Sequence, residues 1–301
     1  MKKNLLSKNL HQWLFLLVCF VATLPSWAED YIRDGIIYYL DRSAKTATVK
    51  GLEDKSATSA EIRSYVAGCK VTGIGGSAFS ECSALTSINI PSSVTSIEKS
   101  AFRGCSSLTS INIPSSVTSI EKSAFRGRSS LTSINIPNSV TSIGSEAFYY
   151  CSSLTSINIP SSVTSIGESA FEDCSSLTSI NIPSSVTSIE WSAFNGCSAL
   201  TALTVDANNP KYSAEGCMLF NKEETTLIRA VGNQKTYDIP SSVTWIGGSA
   251  FSGCSSLTSI NIPNSVTSIG ENAFYGCSSL TSINIPNSVT SIGYSAFLNC
   301  I

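Results

Sequence analysis

The chain reads as a repeat solenoid of short parallel β-strands joined by turns, and three observations predict it. Phenylalanine recurs at one constant interval, at Phe79, Phe102, Phe125, Phe148, Phe171 and Phe194, and again at Phe251, Phe274 and Phe297. The phrase I-P-(S/N)-S-V occurs eight times, with its proline at Pro91, Pro114, Pro137, Pro160, Pro183, Pro240, Pro263 and Pro286. Seven apolar positions keep their places in each unit, as in "CSSLTSINIPSSVTSIGESAFED" from Cys151. One such unit cannot bury seven apolar side chains alone, whereas stacked neighbours make a continuous core.

The first segment, 1–28, reads as a secretory signal peptide. It carries Lys2, Lys3 and Lys8, an apolar run from Trp13 to Leu24, and small residues at Ser26 and Ala28, so cleavage is expected after Ala28. The run is short for a bilayer span, and no later segment approaches about 20 apolar residues, so no membrane span is expected in the mature chain. Cys19, between Val18 and Phe20, lacks the small neighbours of a lipidation site. The expected location is secreted or cell surface.

Removing the signal also removes His11, the single histidine of the chain. That excludes Ser-His-Asp and Cys-His nucleophilic sites and His-dependent zinc motifs. Sixteen Lys and Arg then face 21 Asp and Glu, a net charge of −5. A mildly acidic surface has no overall field to attract nucleic acid.

Residues 29–74 are the expected N-terminal cap. Strands at 36–40 and 46–49 around a polar turn read as a β-hairpin, and 61–74 as a degenerate repeat with "AGCK" inserted. Repeats proper occupy 75–205. In "LTSINIP", Leu154, Ile157 and Ile159 stand at positions 1, 4 and 6, the L-x-x-L-x-L spacing of leucine-rich repeats. Alternation through Ser156, Ile157, Asn158 and Ile159 predicts a strand with both isoleucines inward, ended by Pro160. Val163 and Ile166 belong to a second extended piece, and Ala170 and Phe171 to a helical turn or short 3-10 segment. Residues 206–238 break the period, since the step from Phe194 to Phe251 is no multiple of the regular interval. "GCMLFNKEETTLIRAV" reads as strand, turn, strand, a hairpin replacing the outer side of one coil, with a projecting recognition element as the alternative. Regular units resume over 239–301 and stop inside a unit at "AFLNCI", where truncation is expected.

The whole phrase L-x-x-I-x-I-P-x-x-V-x-x-I-x-x-x-A-F-x-x-C resembles the BspA-like leucine-rich repeat proteins over roughly 30–301. The resemblance implies a bacterial secreted or cell-surface adhesin, with a host extracellular-matrix or plasma protein, or another cell surface, as partner. One departure from the general leucine-rich consensus is the ninth position of the repeat, there often asparagine and here Ser93, Ser116, Ser139 or Ser162. A hydroxyl is expected to hold the turn less completely than an amide.

Chemistry-bearing residues are few. Cys82, Cys105, Cys151, Cys174, Cys197, Cys254, Cys277 and Cys300 form a ladder that only Arg128 interrupts. Equivalent cysteines on adjacent coils lie within disulfide reach, but their side chains run parallel, so each is expected to be a small apolar filler. Because an unpaired buried guanidinium is costly, Arg128 places this ladder near the coil rim, with its charge in water. No C-x-x-C spacing points to a metal. Glu98, Glu121, Glu168 and Glu190 read as a solvated edge, and Gly144, Gly167, Gly247, Gly270 and Gly293 as turn residues. Lys99, Lys122, Arg103, Arg126 and Arg128 read as a charged edge partly neutralised by glutamates, with a patch for an acidic partner as the alternative.

The outward positions of the first strand are the candidate binding residues: Ser87, Asn89, Ser110, Asn112, Ser133, Asn135, Ser156, Asn158, Ser179, Asn181, Ser259, Asn261, Ser282 and Asn284. Stacking turns them into rows of small hydrogen-bonding groups, in which asparagines also help to fix strand register. The function expected is therefore non-catalytic binding of a protein ligand, with no cofactor and no metal. The alternatives are a structural spacer for a missing C-terminal module and, last, a glycan-binding protein.

Overall fold

A computed structural model describes residues 29–300, and the signal-peptide reading of 1–28 lies outside them. The cap is an antiparallel meander of Glu29–Arg33, Ile36–Asp41 and Thr46–Leu52. Strand Cys69–Ile74 then adds in parallel to Thr46–Leu52, and Ser96–Ile97 adds in parallel to Cys69–Ile74. The hairpin thus passes its open edge directly to the first coil. Ile36, Tyr38, Leu40, Val49, Val71 and Ile74, alternating inward along these strands, are fully buried.

Each regular coil contributes two short strands to two parallel sheets. Ser156–Asn158 lies between Ser133–Asn135 and Ser179–Ile182, while Ser165–Ile166 lies between Ser142–Ile143 and Ser188–Ile189. Leu154, Ile157, Ile159, Val163, Ile166, Ala170 and Phe171 are all buried, as the period requires. The phenylalanines stack face to face from Phe79 to Phe194 with ring centroids 5.2–5.7 Å apart. A second stack runs through Phe251, Phe274 and Phe297.

The third side of the coil differs from expectation. No helix is present among the described residues, and the S-A-F segment is a run of turns. Its residues adopt left-handed backbone at intervals, for example Ser169 at φ 54° and Asp173 at φ 58°. In consequence the N–H groups of Ser169, Phe171 and Asp173 donate to Trp191, Ala193 and Asn195 of the next coil at 2.9, 2.8 and 2.8 Å. Those of Ala170 and Glu172 close turns onto Gly167 and Ser169 at 3.2 and 3.1 Å. A helix would keep nearly all its amides for itself; this segment divides them between turn closure and coil stacking.

The cysteine ladder lies inside the coil, not at its rim. Cys105, Cys151, Cys174 and Cys277 are completely buried, and all ten described cysteines are free thiols. Most of the ladder is more than filler, Cys82 and Cys254 being the members whose thiols donate to no carbonyl. The thiols of Cys151, Cys174, Cys197 and Cys277 donate to the carbonyls of Phe125, Phe148, Phe171 and Phe251 at 3.2–3.3 Å. Burial pushes the thiols of Cys105 and Cys151 up to about 12.

Arg128 is likewise completely buried, which overturns the rim placement. Neighbouring coils hold its backbone in the thiol slot, so the side chain cannot reach solvent. Its Nη2 donates to the Leu108 carbonyl at 3.0 Å, and its guanidinium carbon lies 5.5 Å from the centre of the Phe125 ring. Nε and Nη1 have no partner. Burial brings this arginine down to about 10.

Residues 206–238 divide the array. Tyr212–Glu215, Met218–Asn221 and Thr226–Ala230 form an antiparallel meander, with a strand pair where the sequence expects one. Thr226–Ala230 then starts a new parallel sheet with Trp245–Ile246, Ser268–Ile269 and Ser291–Ile292. The preceding sheets end at Ala202–Val205 and Ser188–Ile189, and the Ile189 N–H turns to the Tyr212 hydroxyl at 3.0 Å. The result is two stacks with a seam between them.

Candidate binding surfaces

All fourteen outward Ser and Asn positions are exposed. Strand pairing brings eleven of them together in three groups, and Ser110, Ser259 and Ser282 lie outside the paired residues. Ser87 and Asn89 lie beside Ser59 and Glu61 of the cap. Asn112, Asn135, Asn158 and Asn181 form one row that ends at Thr204, with Ser133, Ser156 and Ser179 beside them. Asn261 and Asn284 continue from Asp238 beyond the seam. The central row therefore offers side-chain donors and acceptors on a flat surface. Among the described residues its only side-chain hydrogen bond is from the Thr204 hydroxyl to Asn181 Oδ1, at 2.9 Å.

Register is held elsewhere than in the asparagines. The Thr155, Thr178 and Thr201 hydroxyls each donate to the equivalent threonine carbonyl of the preceding coil at 3.2–3.4 Å. The ninth-position serines do the same for the valines. Ser139, Ser162 and Ser185 donate to Val117, Val140 and Val163 carbonyls at 2.5–2.6 Å, so these hydroxyls tie coils together instead of closing their own turns. The asparagine row is thus free of that structural task.

The basic edge is mostly paired, with Lys99 in no ion pair among the described residues. Arg103 meets Glu81 at 3.7 Å, Lys122 meets Glu146 at 3.8 Å, and Arg126 pairs with Glu146 while covering the Tyr149 ring. Such exposed pairs contribute roughly 0–1 kcal/mol and leave little field for an acidic partner.

A feature absent from the sequence reading lies at the seam. Trp191 and Trp245, one on each side of the inserted coil, mark a cleft of about 210 Å³. Ile189, Phe194, Leu219 and Ile228 supply its apolar lining. The indoles are 64% and 44% exposed, unusual for so large an apolar side chain. Arg229 lines this cleft and a smaller cavity beside it, and is itself buried. Its guanidinium donates to the carbonyls of Ser249 and Ser252 and to Asn195 Oδ1, while Nε has no partner. The available signal was that these are the only tryptophans past position 28 and that they flank the break in period.

No cluster of three or more His, Cys, Asp or Glu side chains able to hold a metal occurs among the described residues, and no helix there is long and apolar enough to cross a membrane. Coils that pair in parallel with their neighbours around one continuous apolar interior, with a polar row on the outer sheet face, define the class: a leucine-rich-repeat solenoid. The BspA type leucine rich repeat region matches residues 72–201 and 229–301. The chain belongs to that family.

Solved structures agree with the assignment. A leucine rich cell surface protein of Faecalibacterium prausnitzii A2-165 is 31% identical, with a TM-score of 0.70 over 91% of this chain and 80% of that one. The pneumococcal vaccine antigen PcpA is 25% identical, with a TM-score of 0.74 over 88% and 78%. A leucine-rich repeat protein of Bacteroides ovatus ATCC 8483 is 29% identical, with a TM-score of 0.61 over 90% and 80%. No curated protein sequence matches the chain.

Proposed function

We propose that this protein is an exported, non-catalytic binding scaffold of a bacterial cell surface, and that its Ser/Asn face holds a protein ligand. The observation that carries the reading is the central row from Asn112 to Asn181. It is exposed, in register, and nearly free of internal side-chain hydrogen bonds. Solenoids commonly bind through such extended faces. The partner is an adhesin's partner: an extracellular-matrix or plasma protein, or a protein on another cell. Similarity to the leucine rich cell surface protein of Faecalibacterium prausnitzii supports the location. Export itself rests on the signal-peptide pattern of 1–28.

The test uses residues 29–301 on immobilised matrix and plasma proteins. Saturable binding is expected, with a loss of at least tenfold when Ser133, Asn135, Ser156 and Asn158 are replaced together by bulky residues. Binding no better than a shuffled-face control makes the protein a spacer instead. Mass spectrometry of the secreted product locates its first residue, expected at Glu29.

A further inference from the structure

The S-A-F edge has a polarity that the two sheets lack. From the Phe79 coil to the Phe194 coil, three N–H groups of each coil donate to three carbonyls of the next, at 2.7–3.0 Å throughout. Peptide dipoles therefore line up head to tail along this edge, as they do in a helix, and leave positive charge at the N–H end. That end is the Phe194 coil. Its Ser192, Phe194 and Gly196 amides occupy the positions that Ser169, Phe171 and Asp173 fill one coil earlier.

At the seam these three amides lose their acceptors. The inserted coil passes from Leu227 to Ala230 where a regular one runs from Ile166 to Phe171, and so skips two residues of the edge. Among the described residues, none of the three N–H groups has a hydrogen-bond partner. The opposite wall is covered. Ala230 donates to the Ala250 carbonyl at 2.7 Å, and Arg229 donates to Ser252 at 2.9 Å and also to Ser249. Lys55 does likewise at the carbonyl end of the first stack, where its Nζ meets the Ser80 carbonyl at 3.1 Å. Each carbonyl end has its cation, whereas no carboxylate among the described residues accepts from the amide end: Glu190, which also lines the cleft, takes the Ser188 hydroxyl at 2.8 Å, and Asp173 lies against Gly196 without bonding its N–H.

A second, independent observation points the same way. Arg229 is 7% exposed, lines the cavities on both sides of the wall, and joins no ion pair among those of the described residues. Its Nε is without a partner. A buried cation beside a row of free amides is an anion site by both charge and donor geometry. The cleft of about 210 Å³ is smaller than a drug-sized pocket and has room for one ring.

We propose that the seam binds a carboxylate carried on a ring, with the carboxylate on the Ser192 and Phe194 amides beside Arg229 and the ring against Trp191 and Trp245. The ring suits the exposed indole faces and the apolar lining. Two sources share this chemistry, a free cyclic acid and an acidic sugar residue of a glycan. The site is separate from the Ser/Asn face, and either can fail without the other.

Trp191 and Trp245 are the only tryptophans of residues 29–301, so their fluorescence reports the site directly. The titrants are cyclohexanecarboxylate against cyclohexylmethanol, glucuronate against glucose, and inorganic phosphate. A saturable response at least tenfold stronger for an acid than for its neutral partner is expected, with amide shifts in ¹⁵N spectra confined to Ser192, Phe194 and their neighbours. The stronger of the two acids identifies the source. Trp191→Ala is expected to weaken binding at least tenfold in those amide titrations, and Arg229→Met to abolish it. Where Arg229→Met fails to fold, Trp191→Ala and the amide shifts still decide. Equal response to acid and neutral compound, preference for phosphate, or shifts elsewhere overturn the proposal.

Discussion

The stack from Phe79 to Phe194 and the seam at 206–238 are made by one chain under one set of forces, yet they differ in what they leave over. In the stack every coil answers its neighbour, save at Arg128. Strand pairs strand, ring covers ring, thiol meets carbonyl, and the S-A-F amides find the next coil. At the seam the edge is shortened, the ring column stops at Phe194, and the sheets restart. A perfect repeat exhausts its directional groups along its own axis and can bind only through its sides. An imperfect coil exposes groups that the repeat normally consumes, in an orientation that no side face offers.

The contrast can be broken most sharply in the ring column. Phe148→Ala removes a fully buried ring with a neighbour on each side and is expected to cost about 3–5 kcal/mol, read as a lower urea midpoint. Arg128→Cys acts in the opposite direction. It removes a buried guanidinium with two orphan nitrogens and restores a thiol donor, so a gain of about 1–4 kcal/mol is expected in the same measurement. Failure to gain would mean that the coil has adapted to the arginine.

Alkaline titration gives a smaller and graded effect. Cys105, Cys151, Cys197 and Cys277 are raised from 9.0 to about 12 by burial, so between those values the folded chain holds protons that the unfolded chain releases. Stability is accordingly full below pH 9 and is lost as pH rises toward 12. Arg128, lowered from 12.5 to about 10, works against this trend, because above pH 10 the unfolded chain holds the extra proton. The Arg128→Cys variant should therefore fall more steeply above pH 10 than the parent, as followed by thermal midpoints. Trp191→Ala is the mildest change for the fold, within about 0.5 kcal/mol, since its side chain is largely exposed. Its effect belongs to binding.

Much of the architecture was legible because burial repeats with the sequence. Leu154, Ile157, Ile159, Val163, Ile166, Ala170 and Phe171 announce one interior at a fixed period, and each is buried. The family resemblance pointed to the same fold. The S-A-F turn was not legible, because serine, which takes left-handed backbone at Ser169, carries no marker for it, and the enrichment of aspartate there is too weak to place Asp173. The thiol slot was hidden for a different reason. The cost of burying Arg128 favours the rim only where the side chain can choose its surroundings, and flanking coils fix the backbone first. Register, expected of the asparagines, is supplied by the Thr and Ser hydroxyls. The cleft was illegible because it needs two tryptophans from different repeats and a shortened coil between them, neither of which has a local pattern.

The free thiols have a consequence for how the molecule comes into being. Once folded, a buried thiol with little thiolate is a poor substrate for oxidation. While still extended, the same chain presents ten accessible sulfurs with ordinary reactivity, among which any pairing is possible. In an oxidising compartment, coil closure therefore competes with random cross-linking. Each coil packs against the coil that directly follows it in the sequence, and such local contacts form quickly. The short period that makes the array so regular is also what lets it outrun its own chemistry.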